Sequence, residues 1–368
     1  MVVHNGPDIQ PLTAVALRTL HDVLGDGSMP CCHTLVPDGD GLSRSGLNPR
    51  YGNIALIGLA RARDAGYEVT VDLDRLLRLS LDEVSSTGSV GDIGLTCWSV
   101  AMVGSRADCD RRLKPLLVGE LDLSEPQITA MGLEWLLTGV SKLHQRFPEL
   151  TWLGNIVDNC YRKVLSIYNE NTGLFNELNG CKFTSKWKRN LSYFCDQVYG
   201  IYSLCAYHEA VNDRLALDRA LRVAKNICAL QGSEGQWPWL FDSCAGTVVS
   251  MYPVYSVHQD SMAPMALLKL TSLSGIDFTE PVMRGLAWLY GKNEMNTPMI
   301  DGELGVIWRS IRRHGAVPYS QLFRMIKLMH VSHLDKLRDL ADPLMKFEID
   351  RECRPYHLGW ILYAFSGR

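Results

Sequence analysis

The sequence of 368 residues contains no long apolar run and no long basic block. The absence of about 18 consecutive uncharged apolar residues argues against a membrane-spanning helix. The basic segment KFTSKWKR, residues 182–189, is too short to predict a nucleic-acid surface. The first twelve residues, MVVHNGPDIQPL, lack the basic and apolar segments of a signal peptide. We therefore expect a cytoplasmic protein without nucleic-acid partners or stable membrane insertion.

Motifs for several common chemistries are also missing. The sequence has no HExxH, no paired CxxC, no glycine-rich phosphate loop, no GxSxG and no Asp-rich diphosphate motif. The eleven cysteines are scattered and odd in number, which favours reduced thiols. The segment Cys31-Cys32-His33 lacks a second ligand pair at zinc spacing. We expect no metal and no cofactor.

What the sequence does contain is two kinds of helical pattern in alternation. One kind has apolar residues at three- and four-residue spacing with charges on the opposite face. It covers residues 13–25, 72–84, 153–168, 215–231, 278–291 and 319–330. The other kind is apolar or small nearly all round, which predicts burial on most sides. It covers residues 50–62, 91–104, 131–143, 192–210, 258–273 and 356–365, and residues 301–313 are a mixed case.

This alternation predicts an all-α fold, an (α/α)6 toroid in which an outer ring of helices covers an inner ring. Residues 356–365 complete the last inner helix or add a seventh hairpin. A superhelical solenoid is the main rival, but its terminal repeats should have polar outer faces. We predict one domain over residues 1–368, with long loops at 24–49, 169–190 and 232–253 on one rim. Loops of this length are usually functional or mobile.

Most of the buried helices begin with polar residues. These are Arg50, Tyr51, Asp92, Glu134, Asp196, Gln197, His258, Gln259, Asp260, Asp301, Glu303, Tyr356 and His357. If the inner helices run parallel, their first residues converge on one rim of the toroid. Acids there can simply cap backbone N–H groups. Capping does not explain Arg50 or the amides, which are costly to bury without hydrogen bonds.

The rim loops add aromatic side chains. These are Phe175, Trp187, Trp237, Trp239, Tyr252 and Tyr255. Flat apolar faces with polar edges suit sugar rings and prenyl chains equally well. The sequence therefore predicts an aromatic-lined pocket.

Acid–base chemistry in such a pocket needs paired carboxyl groups. The candidates are Asp260, Asp196, Asp242, Glu234 and Glu177. Asp260 is the first choice, because His258 and Gln259 precede it and an imidazole can tune a carboxyl group. The alternative is that Asp260 only caps its own helix.

Two local segments resemble known families. The segment GQWPWLFD…YSVHQDSMAPMALLKL resembles glucuronyl carbon-5 epimerases and unsaturated-uronyl hydrolases, with Tyr255 and Ser256 at the aromatic-serine start of an inner helix. The residues VHQD depart from the epimerase pattern, so the resemblance implies no catalytic role. The segment QGSEGQWPW resembles one QW repeat of triterpene cyclases, although the acidic cyclase motif is missing. Both resemblances imply an α/α toroid.

We therefore predict a carbohydrate-active enzyme of hydrolase, lyase or epimerase type. The predicted catalytic residues are Asp260, His258, Tyr255, Asp196 and Asp242. The predicted substrate-binding residues are Arg50, Tyr51, Trp237, Trp239, Tyr252, Gln259, Gln197, Glu177, Phe175 and Asp92. The alternatives are a noncanonical terpenoid cyclase with an aspartic acid proton donor, and a ligand-binding toroid without catalysis. The partner is a small molecule, a saccharide or an isoprenoid, and a homo-oligomer is left open.

Overall fold

The computed structural model describes residues 8–24, 31–87, 89–123, 128–177, 190–314 and 346–368. Six of the described helices form a closed inner ring. They are α2 (Pro49–Asp64), α4 (Val90–Val103), α6 (Ala130–Arg146), α8 (Phe194–Val211), α10 (Ala263–Ser274) and α12 (Tyr356–Phe365). Each packs against the next in this order, and α12 packs against α2. Their surfaces are buried nearly all round, as their apolar composition predicts.

Amphipathic helices cover the ring from outside. They are α1 (Gln10–Leu24), α3 (Leu73–Thr87), α7 (Trp152–Leu165), α9 (Arg214–Ala229) and α11 (Thr279–Leu289). The short helix α5 (Arg106–Asp108) continues into π-helical segments Cys109–Leu113 and Pro115–Glu120 and occupies the remaining outer place. Outer and inner helices alternate along the chain, so the inner helices run parallel. The predicted (α/α)6 toroid is confirmed.

Glycines permit the close approach of neighbouring inner helices. A Cβ atom on Gly58 of α2 would overlap the backbone of Gly359 in α12. A Cβ atom on Gly139 of α6 would likewise overlap the carbonyl oxygen of Gly94 in α4. Backbones can lie this close only where neither residue has a side chain. The contact between α12 and α2 is the one that closes the ring.

Short antiparallel strands lie between the helices. They are β1 (Cys32–Asp38), β2 (Gly41–Leu47), β3 (Tyr168–Asn169), β4 (Leu174–Phe175), β5 (Leu191–Tyr193), β6 (Leu240–Asp242), β7 (Thr247–Ser250), β8 (Val254–Tyr255), β9 (Ile300–Asp301), β10 (Val306–Ile307), β11 (Ser310–Arg313) and β12 (Phe347–Asp350). They form the sheets β1-β2, β3-β4, β5-β6-β7, β12-β11-β8 and β10-β9. Strand β5 runs directly into α8, so its sheet fixes where that inner helix begins.

The structure corrects two expectations. Residues 301–313, predicted as a mixed helix, contribute to strands β9, β10 and β11, with a turn at Gly305 whose φ is +69°. That backbone conformation favours glycine and ends any helix. Within the predicted loop 24–49, residues 32–47 form the β1-β2 hairpin. The predicted helix at residues 319–330 lies outside the described residues.

Aromatic side chains fill the axis of the barrel. Trp135 packs edge-on against Tyr199 at 5.2 Å between ring centroids, and Tyr199 lies 6.1 Å from Trp360. Trp360 in turn lies 5.2 Å from Trp98. Below them the ammonium of Lys142 lies 5.5 Å from the centroid of the Trp98 ring. The inner helices therefore surround a packed column rather than a pore. None of the helices in the described part of the chain has the length and hydropathy needed to cross a bilayer.

Candidate active site

The first residues of the six inner helices face one end of the barrel, which we call the mouth. Parallel inner helices place Arg50, Asp92, Glu134, Asp196 and Tyr356 there, as the sequence predicts. Asp301 and Glu303 are exceptions, because they belong to β9 and the turn after it. The mouth therefore gathers charged and polar groups from helices that are far apart in sequence.

Arg50 and Asp92 form an ion pair between α2 and α4. Arg50 Nε lies 2.7 Å from Asp92 Oδ1, and Arg50 Nη2 lies 3.3 Å from Oδ2. The Arg50 guanidinium also lies 5.3 Å from the centroid of the Trp135 ring. Two-point contact fixes the orientation of the carboxylate. Asp92 keeps 18% of its side-chain surface exposed, so its carboxylate is accessible from outside the core.

Glu134 is the most unusual group at the mouth. Its side chain is fully buried in α6, and no described residue hydrogen-bonds either carboxyl oxygen. Burial, and then the nearby charge of Asp196, raise the pKa of Glu134 well above its ordinary value. A Cβ atom on Gly91 would lie 3.2 Å from Cα of Gly132, so the starts of α4 and α6 nearly touch. Glu134 and Asp92 therefore belong to closely packed turns.

Asp196 follows on the next inner helix. Its Oδ2 accepts a hydrogen bond of 2.8 Å from the backbone N–H of Tyr193, and the thiol of Cys195 lies 3.7 Å from Oδ1. Burial raises the pKa of Asp196 to about 7, and the bond from Cys195 opposes that rise. The backbone contact is that of a helix cap. Asp196 therefore caps the start of α8, which is the role that the sequence left open. It is also an acid whose pKa lies near neutrality.

Asp260 lies on a π-helical turn, His258–Met262, that leads into α10. The carboxyl group is fully buried without a hydrogen-bond partner among the described residues, and it makes no cap. His357 Nδ1 lies 3.7 Å from Asp260 Oδ2, and Cys353 Sγ lies 3.8 Å from His357 Nε2. Burial raises the pKa of Asp260 and lowers that of His357 to about 3. The neutral side chains of Asp260, His357 and Cys353 therefore connect the π turn to the start of α12.

His258 is buried among aromatic rings. Its ring centroid lies 4.7 Å from that of Phe194 and 5.3 Å from that of Tyr255. Burial lowers the pKa of His258 to about 3, so the imidazole is neutral at physiological pH. Tyr255 is half-buried, with the Arg309 guanidinium 5.5 Å from its ring centroid and Trp239 packed at 5.0 Å. Tyr255 and Trp239 form an aromatic wall of the mouth.

A second polar network lies between α2 and α12. Tyr51 stacks on His33 of β1 at 5.3 Å and packs against Tyr356 at 4.7 Å. Glu352 accepts hydrogen bonds from Arg309 at 2.6 Å and Arg354 at 3.0 Å. No helical periodicity marks this network in the sequence, because Arg309 and Arg354 lie in loop segments. The charged run DRECRPYH, residues 350–357, is the one sequence feature that indicates this network.

Several predicted ligand-binding residues are structural instead. Trp237 and Phe175 are fully buried in the core, so the expectation that both line the rim is wrong. Gln197 bonds the backbone N–H and carbonyl oxygen of Phe175 at 2.9 and 3.0 Å. Gln259 is placed to donate to the Gly235 carbonyl and to accept from the Trp237 N–H at 3.1 and 3.2 Å. Buried amides that saturate backbone groups in this way hold loops in place.

The remaining candidates lie at the edge of the mouth or away from it. Asp242 accepts hydrogen bonds of 2.9 Å from the N–H groups of Cys244 and Ala245, which closes the turn after β6. Tyr252 donates to Glu294 at 2.6 Å. Glu177 is half-buried and near Cys195, whose pKa its charge helps to raise. Trp187 lies outside the described residues. No three His, Cys, Asp or Glu side chains among the described residues are arranged to hold a metal ion.

No protein-family model matches the sequence, and no curated protein matches it. Several solved structures do match this chain. The unsaturated glucuronyl hydrolase of Bacillus sp. GL1, responsible for the degradation of glycosaminoglycan, matches with a TM-score of 0.59 and 13% identity over 97% of this chain and 94% of that one. The Streptococcus agalactiae enzyme of the same name matches with a TM-score of 0.60 and 11% identity over 97% and 90%. A polysaccharide lyase matches with a TM-score of 0.55 and 13% identity over 96% of each chain. These likenesses establish the α/α toroid fold.

Proposed function

We propose that this protein is a carbohydrate-active enzyme of glycoside hydrolase, lyase or epimerase type, and that the mouth is its active site. The observation that carries the proposal is Glu134, a buried carboxyl group without a hydrogen-bond partner among the described residues. Such a group keeps its proton at neutral pH, which a general acid requires. Asp92, on the helix packed against it, is a carboxylate paired with Arg50.

The two acids suit different tasks in hydrolysis. Glu134 gives its proton to the glycosidic oxygen as the bond from that oxygen to the anomeric carbon breaks. Asp92 takes a proton from the water whose oxygen then bonds to the anomeric carbon. Arg50 holds Asp92 in a fixed orientation throughout, and proton exchange with solvent restores both groups.

The aromatic wall supplies the binding surface. Trp239 and Tyr255 are half-buried and present ring faces of the kind that pack against the apolar faces of sugars. Arg309 and Arg354 add hydrogen-bond donors whose positions Glu352 fixes. The unsaturated glucuronyl hydrolases and the polysaccharide lyase that share the fold support a saccharide substrate. They lend no support to the terpenoid cyclase alternative.

Turnover of disaccharides that end in an unsaturated glucuronyl residue tests the proposal, through loss of the ultraviolet absorbance of the unsaturated ring. We expect E134Q to fold and to lower kcat by about 10²- to 10⁴-fold. D260N is the matched comparison, because Asp260 is the other fully buried acid without a hydrogen-bond partner among the described residues. Full activity of E134Q with loss of activity in D260N would transfer the acid role to Asp260. Binding without turnover by the unmodified protein would favour the non-catalytic alternative.

A further inference from the structure

A narrow cleft lies between the outer helix α3 and the inner helices α2 and α4. Its cavity volume is about 10 Å³, which is the space of about one water molecule. Its polar lining residues are Arg50, Asn53, Ser80, Glu83, Asp92 and Thr96. The carboxylate to which we assign proton transfer from water therefore borders a polar space that is shared with the outer ring.

Ser80 supplies a buried hydroxyl group to this cleft. Only 4% of the residue is exposed, and no described residue hydrogen-bonds its hydroxyl group. A buried hydroxyl group is costly without a hydrogen bond, and buried water commonly provides one where the site is polar and large enough. The unpartnered hydroxyl group therefore points to a water molecule in the cleft.

Across the cleft from α3, buried hydrogen bonds join α2 to α4. Ser99 Oγ donates to Asn53 Oδ1 at 2.9 Å, and Asn53 Nδ2 donates to Thr96 Oγ1 at 3.4 Å. Thr96 Oγ1 donates in turn to the carbonyl oxygen of Asp92 at 2.9 Å. The amide nitrogen of Asn53 carries two hydrogens, of which the bond to Thr96 uses one. These bonds fix the wall of the cleft that carries Asp92.

The Asp92 carboxylate supplies the acceptor. Arg50 Nε lies 2.7 Å from Oδ1 and Arg50 Nη2 lies 3.3 Å from Oδ2, and each carboxylate oxygen has a second lone pair for a further donor. A water in the cleft is thus offered a donor by Asn53, an acceptor by Asp92 and a hydroxyl group by Ser80. Two to four such partners are what a buried water requires.

We propose that this cleft is a water site, and that it supplies the water from which Asp92 takes a proton. The proposal rests on the function proposed above. A saccharide bound at the mouth excludes solvent there, whereas Glu83 borders the cleft from the outer ring and is half-buried. The water oxygen bonds to the anomeric carbon, its proton passes to Asp92, and Glu134 protonates the departing glycosidic oxygen. Solvent from the side of α3 then refills the cleft.

Competition between water and methanol tests the supply role. Attack by water on the anomeric carbon gives the free sugar, and attack by methanol gives the methyl glycoside. The cleft has the volume of about one water molecule, so methanol is too large for it and arrives through the mouth. The ratio of the two products therefore reports the source of the nucleophile, and a general loss of stability or of saccharide binding leaves that ratio unchanged.

The variant S80V replaces the hydroxyl group with apolar bulk that fills the cleft. We expect the rate of hydrolysis to fall, and the ratio of methyl glycoside to free sugar to rise, each by on the order of tenfold with little change in KM. S141V is the matched control, because Ser141 of α6 is also buried with a hydroxyl group that no described residue bonds, and it does not line the cleft. Its product ratio should equal that of the unmodified protein. An unchanged ratio in S80V, or an equal rise in S141V, would overturn the supply role.

A crystal structure of the unmodified full-length protein tests the water site without any variant, so the proposal stays testable even if S80V does not fold. We expect an ordered water within hydrogen-bond distance of Ser80 Oγ and of a polar side-chain atom of Asp92 or Asn53. A cleft without ordered water, at a resolution that shows water elsewhere in the protein interior, would overturn the whole proposal.

These outcomes are distinguishable from failure of the proposed function. If the unmodified protein turns over no saccharide, the supply role falls together with the proposed function, while the crystal structure still decides the water site. If E134Q abolishes turnover as expected but S80V leaves the product ratio unmoved, only the supply role is removed.

Discussion

Arg50 Nε lies 2.7 Å from Asp92 Oδ1, and this ion pair ties the first turn of α2 to the first turn of α4. The pair lies at the mouth, with the Arg50 guanidinium over the ring of Trp135. Both partners are partly exposed, so the pair contributes little to stability. The ion pair instead holds the carboxylate of Asp92 in a fixed orientation, on the helix packed against that of the buried acid Glu134.

The variant D92N should therefore separate activity from stability. We expect kcat to fall by about 10²- to 10⁴-fold, because the carboxylate that accepts a proton from water is gone. The free energy of unfolding should change by about 1 kcal/mol or less. Steady-state kinetics and urea unfolding measure the two effects. A large loss of stability with normal kcat would make Asp92 a structural residue.

Asp196 should make folding stability fall as the pH rises from about 4 to 7. Burial raises the pKa of Asp196 from 3.8 to about 7. Over this window the unfolded chain gives up the proton while the folded chain still holds it, so rising pH favours the unfolded state. The effect reaches about 4 kcal/mol at most. Urea unfolding at several pH values should show a smaller decline in D196N. Equal declines in both proteins would contradict the burial of an ionisable Asp196.

His258 and His357 should have the opposite effect. Burial lowers the pKa of each from 6.5 to about 3. Their contribution is complete above pH 6.5 and is lost as the pH falls toward 3, because the unfolded chain takes up protons first. Each accounts for up to about 5 kcal/mol. H258Q and H357Q, each normalised to its own stability at pH 7, should resist acid unfolding better than the unmodified protein. Identical midpoints of acid unfolding in the variants and the unmodified protein would rule out a contribution from the buried histidines.

Trp237 and Trp239 should respond differently to the same substitution. W237A removes a fully buried ring that stacks on Phe194 at 5.3 Å, so it should cost about 3–5 kcal/mol of unfolding free energy. W239A removes a half-buried ring of the mouth. It should weaken saccharide binding with a smaller loss of stability. Thermal melts and calorimetric titration compare the pair, and equal losses of stability would contradict the different placement of the two rings.

Closure of the ring should depend on Gly359. A Cβ atom there would overlap the carbonyl group of Ile54 in α2, so G359A should destabilise the fold by about 3 kcal/mol or more. Gly154 in α7 is the matched control, because a Cβ atom there meets nothing within 4 Å. G154A should be neutral or slightly stabilising. Similar melting temperatures for the two variants would argue against close contact between α2 and α12.

Local patterns predicted the helices well. Residues 356–365 were expected as an inner helix and form α12 with the same bounds. The segment 301–313 was mistaken for a helix, because the pairing of β11 with β8 and β12 joins residues distant in sequence. Helix periodicity depends on near neighbours, whereas strand pairing of this kind leaves no local trace. Whether residues 1–368 form one domain stays a prediction.

By itself the sequence determined the alternation of outer and inner helices, and with it the end of the barrel where polar groups meet. Parallel inner helices bring their first residues together whatever the details of packing. Only the tertiary structure decided which of those groups carry unusual chemistry. Glu134 and Asp260 are both acids at the start of a buried helix in the sequence. In the fold, Asp260 lies beside His357, whereas Glu134 lies between the helices that bear Asp92 and Asp196. A carboxyl group's pKa depends on burial and on charges a few ångströms away, and those are set by residues remote in the chain.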